Sequence, residues 1–211
     1  MPSSTSPSLP EPERTAPLTQ YTDLQLDALR ELANIGSGTA STALSSMLGR
    51  PVDITVPNTY VLPMADAVGA MGDPESEATG VALGVVGDMA ASVLLLFTPN
   101  DAKQMCGLLG VEAGTEIGES ALMEIGNIVG TSYINALQSM TGMALEPTPP
   151  AIATDMLAAI VETVLAERAA AGDVALLLDS QLVVEGSDAS ISFLLVPDAG
   201  GVDQLLARLG L

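Results

Sequence analysis

The chain has no histidine and no tryptophan, a single cysteine, and six basic side chains against 26 acidic ones. The missing histidine excludes Ser-His-Asp and Cys-His nucleophilic catalysis, together with the common histidine-bearing metal sites. One cysteine excludes an internal disulfide and any cysteine-based metal cluster. That residue, Cys106, lies among Met105, Leu108 and Leu109, so it reads as a small buried hydrophobe and not as a nucleophile. The formal charge of −20 runs against sequence-independent nucleic-acid binding, which relies on basic groups replacing counterions. It runs against anionic lipid for the same reason. So acidic a surface repels itself at low ionic strength and suits either a salt-adapted cytoplasm or an ordinary acidic protein. Long apolar runs are absent too: 48% of the residues are hydrophobic and the mean hydropathy is +0.43, yet nothing approaches the roughly 18 residues that cross a bilayer. The N-terminus is polar and rich in Pro and Ser, with no apolar segment behind a basic start, so a cytoplasmic protein is expected.

What is present is a helical stretch that occurs twice. Residues 27–57 read DALRELANIGSGTASTALSSMLGRPVDITVP, and residues 120–150 read SALMEIGNIVGTSYINALQSMTGMALEPTPP. The two align without a gap and pair Glu31 with Glu124, Asn34 with Asn127, Ile35 with Ile128, Met47 with Met140, Gly49 with Gly142 and Pro57 with Pro150. At about 100° per residue, Asp27, Glu31, Asn34 and Gly38 share one narrow stripe of an α-helix, as do Ser120, Glu124, Asn127 and Thr131. The opposite side carries Leu26, Leu29, Ala33, Gly36, Ala40, Leu44 and Met47, matched by Leu122, Gly126, Val129, Tyr133, Leu137 and Met140. Each helix is therefore expected to bury one face and to present a carboxylate beside an amide. Solvation of an outer face accounts for either copy alone, but not for the same polar pair at the same phase in both.

The spacing Asp/Ser, three residues, Glu, two residues, Asn, then twenty-two residues to Pro resembles the signature of the CheC/CheX/FliY phosphatases of chemotaxis, which act on the phosphorylated response regulator CheY. Both copies satisfy it, through Asp27, Glu31, Asn34 and Pro57 and through Ser120, Glu124, Asn127 and Pro150. The resemblance implies that Glu31 and Glu124 pair with a lysine of the regulator, that Asn34 and Asn127 enter its active site to position water, and that Mg2+ is bound by the regulator. The protein itself is expected to need no metal or other cofactor. Asp27 and Ser120, one turn before each Glu, either orient it or stabilise the early helix. Ile35 and Ile128, at the edge of the stripe, either tuck under a loop or contact the regulator, and Gly38 leaves space beyond Asn34. Pro57 and Pro150 are expected to end strands.

The expected fold is α+β: a six-stranded, largely antiparallel sheet packed with helices, built as a pseudo-twofold sandwich. Residues 1–20 read as a disordered extension, and residues 21–211 as one CheC-like domain of two repeats, about 21–110 and 115–211. Helix one starts after Thr22, which with Gln25 has the spacing of a capping box, and ends near Gly49-Arg50-Pro51. The inward-facing Gly36 is expected to let it lie close on the sheet. A strand over 52–56, a short helix over 64–70, a hairpin of 79–86 with 89–97 about Gly87-Asp88, and a helix capped by Asn100 through Leu109 complete the first half. The second half is read as a helix over 116–140, a Pro-rich strand region to Pro150, a helix over 152–171, a hairpin of 174–185 with 189–196 about Gly186-Ser187, and a helix over 202–209.

Two other readings compete with the enzyme. One is a non-enzymatic flagellar-switch module, because FliM-like middle domains resemble the fold while lacking the Glu/Asn pairs. The other is an adaptor for the receptor deamidase CheD, a further partner the resemblance implies, with Asp155 and Met156 on the long helix as its candidate contact. Because residues 1–20 offer little apolar area to offset the entropy of ordering them, deleting them should leave the melting temperature nearly unchanged in a thermal scan. A large drop would show that they pack on the core.

Overall fold

The computed structural model describes residues 21–168, 174–184 and 187–211. The expected N-terminal extension, the C-terminal end of the helix expected over 152–171 and the turn residue Gly186 lie outside the described residues.

Helix α1 (Asp23–Leu48) opens on a full capping box: the Thr22 hydroxyl oxygen accepts from the Gln25 amide at 3.3 Å, and the Gln25 side chain accepts from the Thr22 amide at 2.9 Å. It closes on Gly49 in the left-handed conformation, φ 64°. Strand β1 (Val52–Pro63), helix α2 (Met64–Met71), strands β2 (Glu77–Gly87) and β3 (Ala91–Phe97) and helix α3 (Pro99–Leu108) follow. The second half runs α4 (Glu116–Thr141), β4 (Leu145–Pro147), β5 (Ala151–Met156), α5 (Leu157–Arg168), β6 (Val174–Val184), β7 (Ser187–Pro197) and α6 (Gly201–Arg208). The shift that carries Glu31 onto Glu124 also carries β1 onto β4 and β5, and the start of α2 onto the start of α5.

The strands form one sheet in the order β1-β6-β7-β3-β2-β4, with β5 also on β2, and every pairing is antiparallel. Each half's first strand pairs with the hairpin of the other half, and β3 and β7 meet in the middle. Among the described residues seven strand segments replace the expected six, because the strand that follows α4 is interrupted at Thr148-Pro149-Pro150, where two consecutive prolines remove ladder donors. Thr148 still holds the broken edge to β2: its amide donates to the Gly84 carbonyl at 2.8 Å and its hydroxyl accepts from the Gly84 amide at 2.9 Å. At the equivalent place in β1, Pro57 stands alone. The strand continues to Pro63 with only a register shift between Thr55 and Asn58, so Pro57 does not end it.

Two further boundaries differ from expectation. Residues 152–156 are not helical but pair with Glu77–Val81 of β2, which puts Asp155 and Met156 on an exposed strand; so short a run carries no reliable period, and tertiary pairing decides it. Helix α3 is capped by Thr98, whose hydroxyl accepts from the Asp101 amide, with Pro99 in the first turn, two residues earlier than an Asn100 cap.

Helices α1, α3, α4 and α6 share one core with Val93, Leu95 and Phe97, while α2 and α5 cover a second core with Leu94 and Leu96. Alternate residues of β3 thus feed opposite cores, and the whole strand is buried. Ser41 and Ser45 of α1 accept from the amides of Ile54 and Val52, each at 2.9 Å, tying the helix to β1. Gly36 does not lie on the sheet as expected: a Cβ there would run into the Tyr133 ring of α4, which stacks on Phe193 with centroids 4.2 Å apart. The glycines that meet the sheet are Gly126, against Val81, and Gly130, against Leu83 and Val93. Among the described residues no helix is long and apolar enough to cross a membrane.

Two glycines of α1 should therefore respond oppositely. Gly36→Val should lower stability by about 1–3 kcal/mol through overpacking against Tyr133. Gly38→Ala, which meets open space in helical backbone, should raise it by about 0.5–1 kcal/mol. Urea denaturation of the two variants beside the parent checks both signs.

Candidate active site

The polar stripes sit on two 26-residue helices whose other faces are packed against each other and the sheet, so the site groups ride on rigid elements. On α1, Leu29, Leu32, Ala33, Gly36, Ala40 and Leu44 are buried, while Leu26 and Met47 pack on the core from its margin. On α4, Leu122, Gly126, Val129, Tyr133 and Leu137 are buried, with Met140 at the margin. Asp27, Glu31, Asn34 and Gly38 are exposed on the first helix, and Ser120 and Glu124 on the second.

The two copies share a plan but not a rim. The Asn34 side chain makes no hydrogen bond to a described residue, and its backbone carbonyl accepts from the Ser37 hydroxyl at 2.9 Å. Asn127 is half-buried, and its Oδ1 faces the Thr131 hydroxyl at a long 3.5 Å. One turn beyond each amide stand Gly38, where an added Cβ would meet nothing, and Thr131. Ile35 is 38% exposed. Ile128 is half-buried and packs on the main core, so the structural alternative describes it better than its counterpart.

Asp27 is paired with Arg30 at 2.6 Å, with both side chains largely exposed. Its carboxylate is thus directed along its own turn at a neighbour and not at Glu31, and a pair so exposed contributes little to stability. Ser120 replaces it in the second copy. Cys106 is buried, its thiol pushed up by burial and donating to the Gly118 carbonyl at 3.6 Å, so it acts as a core group under the start of α4. Nearby, the Tyr21 hydroxyl, raised to about 12 by burial and then by the Asp203 carboxylate, ties the start of α1 to α6. Among the described residues no three Asp, Glu or Cys side chains converge as metal ligands would.

What each surface offers is a negatively charged hydrogen-bond acceptor, one turn from an amide that can both donate and accept. Such a pair can orient a bound water and meet a basic group of a partner, but it supplies no nucleophile of its own. Sequence reasoning placed these four side chains on outward faces; it did not separate the half-buried Asn127, beside Thr131, from the open Asn34, beside Gly38.

The sequence pattern of the CheC-like family matches the chain twice, over residues 24–61 and 117–153. The chain is 28% identical over 196 residues to the CheY-P phosphatase CheC of Bacillus subtilis, covering 88% of this chain and 94% of that one. Its fold is similar to the crystal structure of Thermotoga maritima FliY, with a TM-score of 0.71 at 20% identity over 91% of this chain and 98% of that chain. A CheX–CheY complex with beryllium fluoride and Mg2+ from Borrelia burgdorferi is similar at a TM-score of 0.51 and 16% identity, over 80% of this chain and 99% of that one. Both matched segments contain a Glu–Asn stripe and most of the strand that follows it, and the likeness to the Bacillus protein spans nearly the whole of both chains, so the chain is similar to CheC-like proteins in sequence and in fold.

Proposed function

We propose that the protein hydrolyses the aspartyl phosphate of a CheY-type response regulator at two sites, Glu31/Asn34 and Glu124/Asn127. The observation that carries this reading is the presentation of the same carboxylate–amide pair on the outer faces of two helices whose inner faces are locked in one core. A relative named as a CheY-P phosphatase supports it.

Hydrolysis of an acyl phosphate needs a water held in line with the leaving carboxylate. Its oxygen bonds to phosphorus, the bond from phosphorus to the aspartate oxygen breaks, and inorganic phosphate departs. Orienting that water removes much of the entropic barrier and requires no titrating group. Asn34 and Asn127 accept from the water through Oδ1 and donate toward phosphoryl oxygen through Nδ2. Glu31 and Glu124, one turn earlier, meet a lysine of the regulator and set the depth to which each amide enters. Mg2+ belongs to the regulator in this scheme. A CheD-type partner, if engaged, would meet Asp155 and Met156 on exposed β5.

Replacing Asn34 and Asn127 together by Ala should bring phosphate release close to the regulator's own decay, since loss of a comparable positioning group costs roughly 10²–10³ in rate. Circular dichroism should show an unchanged fold, and a fully active double variant sinks the mechanism. At the carboxylates, Glu31→Lys with Glu124→Lys should weaken binding to a beryllofluoride-charged regulator more than the corresponding Ala changes, because repulsion is added to a lost attraction. Equal affinities for parent, Ala and Lys proteins would remove the proposed salt bridge.

A further inference from the structure

Two apolar side chains stand out on the surface and occupy the same place in each repeat. Leu24 is 64% exposed and Ile117 is 67% exposed, above every other large apolar residue described as exposed. The shift that carries Glu31 onto Glu124 carries Leu24 onto Ile117. Each is the second residue of its helix, two positions after the capping threonine. Each precedes its Glu by seven residues, which is two turns: within about 20° of the same direction and about 10 Å along the axis. Tyr60, Val86, Met156 and Val183, exposed to a lesser degree, lie on strands and share no such equivalence.

We propose that Leu24 and Ile117 are apolar docking anchors, one for each Glu–Asn pair, inserted into the same response regulator that brings its phosphate to Asn34 or Asn127. The proposal rests on the function given above. A first helical turn favours acidic side chains facing the helix dipole, and neither leucine nor isoleucine gains anything there by packing. Single apolar residues on a surface are ordinary; the same exposed residue two turns ahead of the same pair, twice, is not accounted for in that way.

The occupant follows from charge and continuity. Leu24 is set between Asp23 and Asp27, and Ile117 between Glu116 and Glu119. A partner must therefore offer a small apolar depression with basic groups around it. A second copy of this chain would bring a like-charged rim to the contact, and an anionic membrane is repelled in the same way. From Leu24 to Gly38 the stripe extends about 21 Å, one unbroken face carrying anchor, carboxylate and amide in line.

The test uses the full chain and measures phosphate release against regulator concentration. Leu24→Ser with Ile117→Ser should raise KM about tenfold while kcat stays within about twofold of the parent, with an unchanged melting temperature because both side chains are exposed. Leu24→Met with Ile117→Val should restore KM. The penalty should follow the working site: Leu24→Ser should act in protein carrying Asn127→Ala, and Ile117→Ser in protein carrying Asn34→Ala. A parental KM in the double Ser variant of an otherwise active protein overturns the anchors alone. So does a penalty indifferent to which Asn remains, or a parent dimer that the Ser changes dissolve without moving KM. A parent that neither binds nor dephosphorylates any CheY-type regulator overturns the proposed function, and the anchors with it.

Discussion

Everything in this molecule hangs on an exchange of strands. Strand β1 pairs with β6 and strand β5 with β2, so the first strand of each repeat completes the sheet of the other, and β3 and β7 close the centre. Neither half can satisfy its ladder without the other, which makes the sheet one continuous hydrogen-bonded unit. The exchange also determines where the helices that precede the exchanged strands come to rest. Both α1 and α4 land on the same face and pack against each other, with Gly36 admitting the Tyr133 ring and Gly126 admitting Val81. Glycines at close approaches, Gly130 against Leu83 among them, thus set the height and separation of the two helices.

The framework is more symmetric than the surface it carries. Inward-facing positions answer to close packing, where a change of even one methylene is felt, and so the buried faces of α1 and α4 match closely. Outward-facing positions answer to nothing in the fold. Gly38 stands opposite Thr131 in the repeat, the Asp27–Arg30 pair is opposite Ser120, and an exposed Ile35 is opposite an Ile128 that leans on the core. The first amide consequently stands free, while the second is half-buried beside a hydroxyl. Two surfaces that carry the same pair thereby differ in access and in the freedom of the amide proposed to hold water.

A chain with no histidine and six basic residues is poorly equipped for acid–base or nucleophilic chemistry at neutral pH. The proposed reaction asks for neither. An acyl phosphate is a mixed anhydride already activated toward hydrolysis, and in the proposed scheme the regulator would bring the metal and the basic group, leaving this chain to supply position and exclusion of disorder in the attacking water. In that proposed division of labour the acidic surface would attract basic groups of the regulator and keep copies of the protein apart.

The sequence by itself determined the two helices, their buried faces, and the Glu–Asn pairs on the outer side. Helical period, capping residues and a gapless repeat are local signals that tertiary contacts had no reason to override. It also pointed to an antiparallel sheet with helices against it. Only the tertiary structure decided that the first strands are exchanged, that Pro57 is passed while Pro149-Pro150 breaks a strand, and that residues 152–156 pair with β2 instead of starting a helix. It also decided that Gly36 faces Tyr133 and not the sheet, and that Asn127 is less open than Asn34. Periodicity states which side of an element turns inward. What that side meets depends on residues far away in the chain, and those become neighbours only once the sheet has closed.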